Sequence, residues 1–213
     1  MEHKGETMNE IKDKPEIPVS IFKKLNGKLP TLILGMIIVG VFNVMPLVID
    51  KHEIIFPAGD SSNRGFNIII LAISAIIFGV LDVLFFGTPL YDVFKALKKA
   101  EPMEYTGELR VKLYKVYIAA HLPVLPIQLI ILTFLSNVDI EKLSGMGYFL
   151  ILITSFFMTI WFHVIISKGV NTLYNFQRLQ RSLILLIVFI WSFILGTVLE
   201  YGLHTYVIKL LRV

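Results

Sequence analysis

Long, nearly unbroken apolar runs alternate with shorter polar segments along this chain. The runs fall at Leu29–Val48, Phe66–Phe86, Tyr117–Leu135, Tyr148–Ser167 and Leu183–Leu203. Each is close to the roughly 20 residues that a helix, rising about 1.5 Å per residue, needs to cross a hydrocarbon layer about 30 Å thick. The runs are continuously apolar rather than alternating, so helices and not barrel strands are the spanning form. The pattern predicts an all-α polytopic membrane protein with five transmembrane helices. The third run is the weakest, because His121, Pro123, Pro126 and Gln128 interrupt it. The apolar stretch from Ile127 to Leu135 keeps it as a span.

The polar segments divide the chain into a disordered tail over 1–17, a membrane domain over 18–205 and a short external tail over 206–213. Two segments read as short amphipathic helices on the cytoplasmic surface. In the first, over 18–28, Ser20 caps the helix. Ile21, Phe22, Leu25 and Leu29 share a face, with Lys23, Lys24 and Lys28 around it. In the second, over 89–99, Leu90, Phe94 and Leu97 share a face opposite Lys95, Lys98 and Lys99, and Glu101-Pro102 ends the helix. Asp60 to Gly65 and Asn137 to Gly147 read as turn-rich loops. No internal repeat is visible, which speaks against an inverted-repeat transporter.

Charge sets the orientation. The three segments that share one side in a five-span chain carry fifteen Lys and Arg, against five on the other side. The positive-inside rule then places the N-terminus in the cytoplasm and the C-terminus outside. The net charge of +4 sits beside the spans, where anionic headgroups account for it and nucleic acid is not needed. The absence of cysteine removes thiol catalysis and thiolate metal sites. Residues 1–28 have no apolar core of a secretory signal, so the first span is expected to serve as the targeting signal.

Ionisable residues inside spans are costly and mark candidate sites. Asp82 in span two, His121 in span three and His163 in span four form the candidate intramembrane polar site. Each also has a plainer reading, as an interhelical hydrogen-bond partner. Glu200 and His204 are four apart and read as a local pair near the outer end of span five. They are expected to lie too far from Asp82 and His163 to share one metal site with them. No metal, cofactor or catalytic motif is recognisable, and enzymatic activity is not expected. Pro46, Pro123 and Pro126 interrupt helices as kinks or as a gate. Ala75/Gly79 and Ser192/Gly196 have the spacing that permits close helix contact.

Three stretches resemble the prokaryotic branch of the Yip-domain membrane proteins. The first is Pro18-Val19-Ser20-Ile21-Phe22-Lys23-Lys24-Leu25 just before a span. The second is Gly107-Glu108-Leu109-Arg110-Val111-Lys112-Leu113-Tyr114-Lys115-Val116-Tyr117 leading to Pro123. The third is Ile160-Trp161 followed by Lys168-Gly169-Val170 and Leu173-Tyr174, taken as a glycine-containing turn before span five. The resemblance implies a five-span protein of a prokaryotic plasma membrane. The Rab-binding eukaryotic branch carries an Asp-Leu-Tyr-Gly-Pro signature that is missing here, so the resemblance gives little ground for a Rab-type GTPase partner.

The expected function is that of a non-enzymatic scaffold or partner-binding component. Lys23, Lys24, Lys95, Lys98 and Lys99 would face the membrane surface or a partner. The partners implied are the lipid bilayer and a second copy or another membrane subunit. The alternative is a small transporter or channel for a proton, cation or small solute, built on Asp82, His121 and His163. A third reading is a lipid-handling protein with a groove lined by Asn43, Gln128 or Thr133. A polar cavity inside the bundle separates the transporter from a scaffold, which should be packed shut.

Overall fold

The computed structural model describes residues 29–56, 61–98, 107–137 and 145–211. Among these residues there is no strand, and five helices are long and apolar enough to cross a bilayer. They are α1 (Leu29–Asp50), α2 (Ser61–Leu97), α3 (Gly107–Asn137), α4 (Gly145–Tyr174) and α5 (Arg178–Gly202). A single turn, His52–Ile55, follows α1, and a π-helical turn, Leu203–Val207, prolongs α5 into a last turn at Ile208–Leu210.

The helices pack in a ring. α1 lies against α2, α2 against α5, α5 against α4, α4 against α3, and α3 closes onto α1, with α2 also touching α3. The α1–α2 contact is the closest. A Cβ on Gly40 would overlap the Ala75 carbonyl, and a Cβ on Gly79 would overlap the Met36 carbonyl. The backbones therefore meet directly, as small residues allow in apolar surroundings. Ala75/Gly79 is thus used inside the molecule. Gly196 has nothing within reach of an added Cβ and makes no such contact.

One core fills the end of the ring where α1, α3 and α5 begin. It joins Met36, Phe86, Phe94, Leu113, Ile166 and Tyr174, among others. Phe94 stands edge-on to Tyr174 and to Phe176 at centroid distances of 5.4 and 5.9 Å. A smaller core at the opposite end joins Val44, Leu47, Ile55, Leu71, Leu203, Val207 and Leu211. Residues 206–211 are accordingly helical to Leu210 and pack inward through Val207 and Leu211, rather than trailing as a tail.

Several helices outrun the apolar runs. α2 continues through Leu97, and the amphipathic stretch over 89–97 is its last part rather than a separate surface helix. Its apolar face is covered by protein, with Leu90 and Phe94 buried in the larger core. Pro89 lies inside this helix and removes the amide that would bond the Phe85 carbonyl. Trp191 of α5 supplies the replacement, its indole Nε1 donating to that carbonyl at 3.0 Å. The bundle thus repairs the break, and the helix runs on.

Other boundaries shift for similar reasons. The loop expected from Asp60 to Gly65 is helix from Ser61 onward, since serines favour a helix start as well as a turn. Of the second expected loop, Asn137 ends α3 and Gly145 to Gly147 are helix, while residues 138–144 lie outside the described residues. Lys168-Gly169-Val170 lies within α4 and forms no turn. The turn is Asn175–Gln177, where Asn175 adopts a left-handed φ of 48° that asparagine tolerates better than most residues. Gln180 Oε1 accepts the Gln177 amide, and Arg181 Nε donates to the Phe176 carbonyl, which starts α5 sharply. The segment over 18–28, with Ser20, Lys23 and Lys24, lies outside the described residues, as do Lys99 and Glu101-Pro102.

Candidate functional site

Asp82 sits midway along α2 and is buried, with 3% of its surface exposed. Two neighbours satisfy it. Asn43 Nδ2 of α1 donates to Oδ2 at 2.8 Å, and the Tyr117 hydroxyl of α3 donates to Oδ1 at 2.7 Å. The carboxyl group therefore ties three helices at one level, which is how a polar group in an apolar bundle avoids an unmet desolvation cost. Tyr117 is fixed from behind by Phe86, stacked at 3.8 Å with an interplanar angle of 13°.

Aromatic rings continue from Tyr117 across the bundle. His121 stands edge-on to Tyr117 at 4.5 Å and to Phe162 at 4.7 Å. Phe162 meets His163 at 5.3 Å, and His163 meets Phe189 of α5 at 4.9 Å. Each histidine bonds the backbone one turn before it. His121 Nδ1 lies 2.9 Å from the Tyr117 carbonyl and His163 Nδ1 lies 2.6 Å from the Thr159 carbonyl. A carbonyl only accepts, so each ring in its neutral form carries its proton on Nδ1 and keeps a lone pair at Nε2.

These residues line one cavity of about 590 Å³ at the centre of the ring. Among the described residues, α2 contributes Asp82 alone. α1 adds Phe42, Asn43, Pro46 and Leu47, and α3 adds Tyr117, His121, Leu125 and Gln128. α4 brings Thr159, Phe162 and His163. The wall from α5 runs from Phe189 through Ser192, Gly196 and Thr197 to Glu200, with Leu203 and His204 following from the π turn. From Phe189 to His204 the helix rises about 22 Å at 1.5 Å per residue. The cavity is therefore a long crevice, and it lies toward the end where α1, α3 and α5 finish. The larger core closes the other end.

All three residues singled out in the spans, Asp82, His121 and His163, line this crevice. So do Glu200 and His204, which stand at another depth along the bundle; a crevice of this length reaches both levels. Proximity is still limited: among the described residues no three His, Asp or Glu side chains are close enough to hold a metal ion. Gln128 and Asn43 belong to the crevice, but Thr133 is not part of its lining. Pro46, Ser192 and Gly196, read from the sequence as kink or packing residues, line it too. Their signal was present only as small or helix-breaking residues on the faces that turn inward.

Lys98 does not present a free surface charge. It is buried, with Nζ 5.9 Å from the Phe176 ring centroid. Lys95 is on the exposed side of α2. Other cations at the same end are also held by the protein. Lys115 Nζ donates to Thr31 Oγ1 at 2.5 Å, and Arg110 lies 4.8 Å over the Tyr91 ring.

No family model, curated protein or solved structure matches the chain. Function has to be read from the geometry.

Proposed function

We infer that the protein is a plasma-membrane transporter or channel for a small cation, and that the crevice is its binding chamber. The single observation that carries this reading is a half-open cavity walled by five apolar helices, with polar side chains and a buried carboxyl group among its lining. A scaffold gains nothing from such a space, because a bundle in lipid is held by close packing. A charged or polar lining at this depth is expensive and is the usual mark of a permeation path.

The sign of the charge supports a cation. Among the described residues the lining holds two carboxylic acids, Asp82 and Glu200, three histidines and no lysine or arginine. With the N-terminus in the cytoplasm, as the distribution of Lys and Arg argues, the crevice faces outward and the larger core forms the inner closure. This orientation, a prokaryotic plasma membrane and kinship with the prokaryotic Yip-domain branch all belong to the proposal. The scaffold reading keeps less support. The face of residues 89–97 that would dock a partner is occupied by the chain itself.

The test is charge movement in proteoliposomes on a solid-supported membrane after jumps of sodium, potassium or ethylammonium. At least one cation should give a saturable transient that Asp82→Asn abolishes. Absence of any transient from folded wild-type protein would remove the transport reading.

A further inference from the structure

The crevice does not stop at the ring of helices. A second cavity of about 310 Å³ lies between α3 and α4 and shares His121, Gln128, Thr159 and Phe162 with the first. Its remaining lining is Val124 and Ile131 from α3 and Ser155 and Met158 from α4. Apart from the shared residues, the lining of this side chamber is apolar but for the Ser155 hydroxyl. It adjoins helix surfaces that turn outward, where Leu122, Ile130, Phe156 and Phe157 are exposed. A chamber that holds two carboxylic acids and a more apolar one without any thus meet at His121 and Phe162.

The hydrogen-bonding capacity left over in the polar chamber is mostly that of acceptors. Each Asp82 oxygen takes one donor and can take another. The neutral His121 ring keeps a lone pair at Nε2, since Nδ1 serves the Tyr117 carbonyl. His163 Nε2 is buried with no partner, and so is Ser192 Oγ. Buried acceptors without donors are uncommon in folded proteins and call for a donor. A bare metal ion is a poor match, because no three acidic or histidine side chains converge among the described residues. A group that brings several N–H donors and a positive charge matches both the charge and the surplus of acceptors.

We propose that the ligand is a protonated primary amine bearing an apolar substituent. Its ammonium group binds at Asp82 and His121, and its apolar part lies in the side chamber between α3 and α4. The proposal rests on the reading of the crevice as a cation site and adds the chemical class. It also explains why the two cavities share a wall: a single amphiphilic molecule fills both. The rings of Tyr117 and Phe162 flank the junction, where an aromatic face suits a cation and the ring surfaces suit its hydrocarbon arm.

The experiment is calorimetric titration of the full-length protein in nanodiscs of zwitterionic lipid. The probes are ethylammonium, hexylammonium, hexyltrimethylammonium and hexanesulfonate. Hexylammonium should bind at least about tenfold more tightly than ethylammonium, since each buried methylene contributes about 0.8 kcal/mol. It should also exceed hexyltrimethylammonium, which has no N–H to donate, and hexanesulfonate should not bind. Ser155→Phe or Ile131→Phe should bring hexylammonium down to the ethylammonium level while leaving ethylammonium itself unchanged. His121→Phe, which keeps the ring contacts, should weaken both primary amines about tenfold, the loss of one hydrogen bond to a charged group. Equal affinity for the ethyl and hexyl compounds would overturn the proposal yet leave the cation site intact. So would equal or tighter binding of the trimethyl compound. Binding of hexanesulfonate as tight as hexylammonium would show mere partition into lipid and overturn it as well. If neither ethylammonium nor hexylammonium binds while sodium or potassium still moves charge, the amine assignment fails alone. If no cation binds or moves charge, the parent reading falls with it.

Discussion

Removing the Tyr117 hydroxyl is the sharpest perturbation of the Asp82 cluster. Tyr117→Phe keeps the ring, so the stack on Phe86 at 3.8 Å and the edge contact with His121 at 4.5 Å survive. What disappears is one donor to Asp82 Oδ1 at 2.7 Å. Interhelical hydrogen bonds in membrane bundles average about 0.6 kcal/mol and reach about 1.7. Bonds to charged acceptors in soluble proteins contribute about 1.5–3 kcal/mol. Burial of both partners puts this bond where the two ranges meet, at about 1.5 kcal/mol, or roughly tenfold in the folding equilibrium. The assay is reversible unfolding in mixed micelles, with denaturing detergent as the titrant. A second arm separates stability from function. In Asn43→Leu/Asp82→Leu/Tyr117→Phe the whole cluster becomes apolar, and buried polar groups replaced together often cost little or even stabilise. That triple variant should be at least as stable as Tyr117→Phe while losing cation-dependent charge movement. An unchanged unfolding free energy for Tyr117→Phe would refute the hydrogen bond as a structural tie. A triple variant much less stable than the single one would refute the view that the cluster is kept for binding rather than for the fold.

Three further outcomes follow from the packing. Gly40→Val or Gly79→Val should prevent stable assembly of α1 on α2, at or beyond the upper end of the roughly 1–3 kcal/mol typical of overpacking. Gly196→Ala should be neutral or slightly stabilising in the same unfolding assay, because nothing lies near the added methyl. Trp191→Phe should cost about 1 kcal/mol by baring the Phe85 carbonyl; adding Pro89→Ala should recover it, because the restored amide takes that carbonyl, and additive losses in the double variant would disprove the link. A tag on Val213 should react with an impermeant reagent from outside intact cells while a tag on Met1 does not, and the opposite pattern would reverse the orientation.

The helical class and the five spans were legible because hydropathy reports what lipid covers. The same index misses helix that continues beyond the lipid. α2 runs to Leu97 because its last turns pack into the larger core through Leu90, Tyr91 and Phe94 and because Trp191 mends the break at Pro89. Neither the indole nor the carbonyl it serves can be paired from the sequence, since they are 106 residues apart. The amphipathic face of residues 89–97 was legible as a pattern, but what covers it was not. An apolar stripe beside lysines reads the same whether lipid or protein lies on it. Here Tyr174 and Phe176, from the α4–α5 turn, supply the cover.

The site shows the same limit in a different form. Asp82, His121 and His163 were recognisable one by one, because each is costly where it stands. Asn43 and Tyr117 were not recognisable as partners of Asp82, since an asparagine and a tyrosine within apolar sequence are compatible with many roles. Depth along each helix placed Glu200 and His204 far from Asp82, and as single contacts they are. A ligand chamber, however, is defined by a continuous empty volume and not by contact between its walls. α5 supplies that volume through what it lacks: Ser192, Gly196 and Thr197 are small, and they recur on one face between Phe189 and Glu200. Read as a packing motif, such a face predicts a neighbouring helix drawn close. Opposite α3 and α4, whose far halves stay exposed, it leaves space instead. The distinction between a seam and a chamber thus resides in the partner helix, and only the assembled ring decides it.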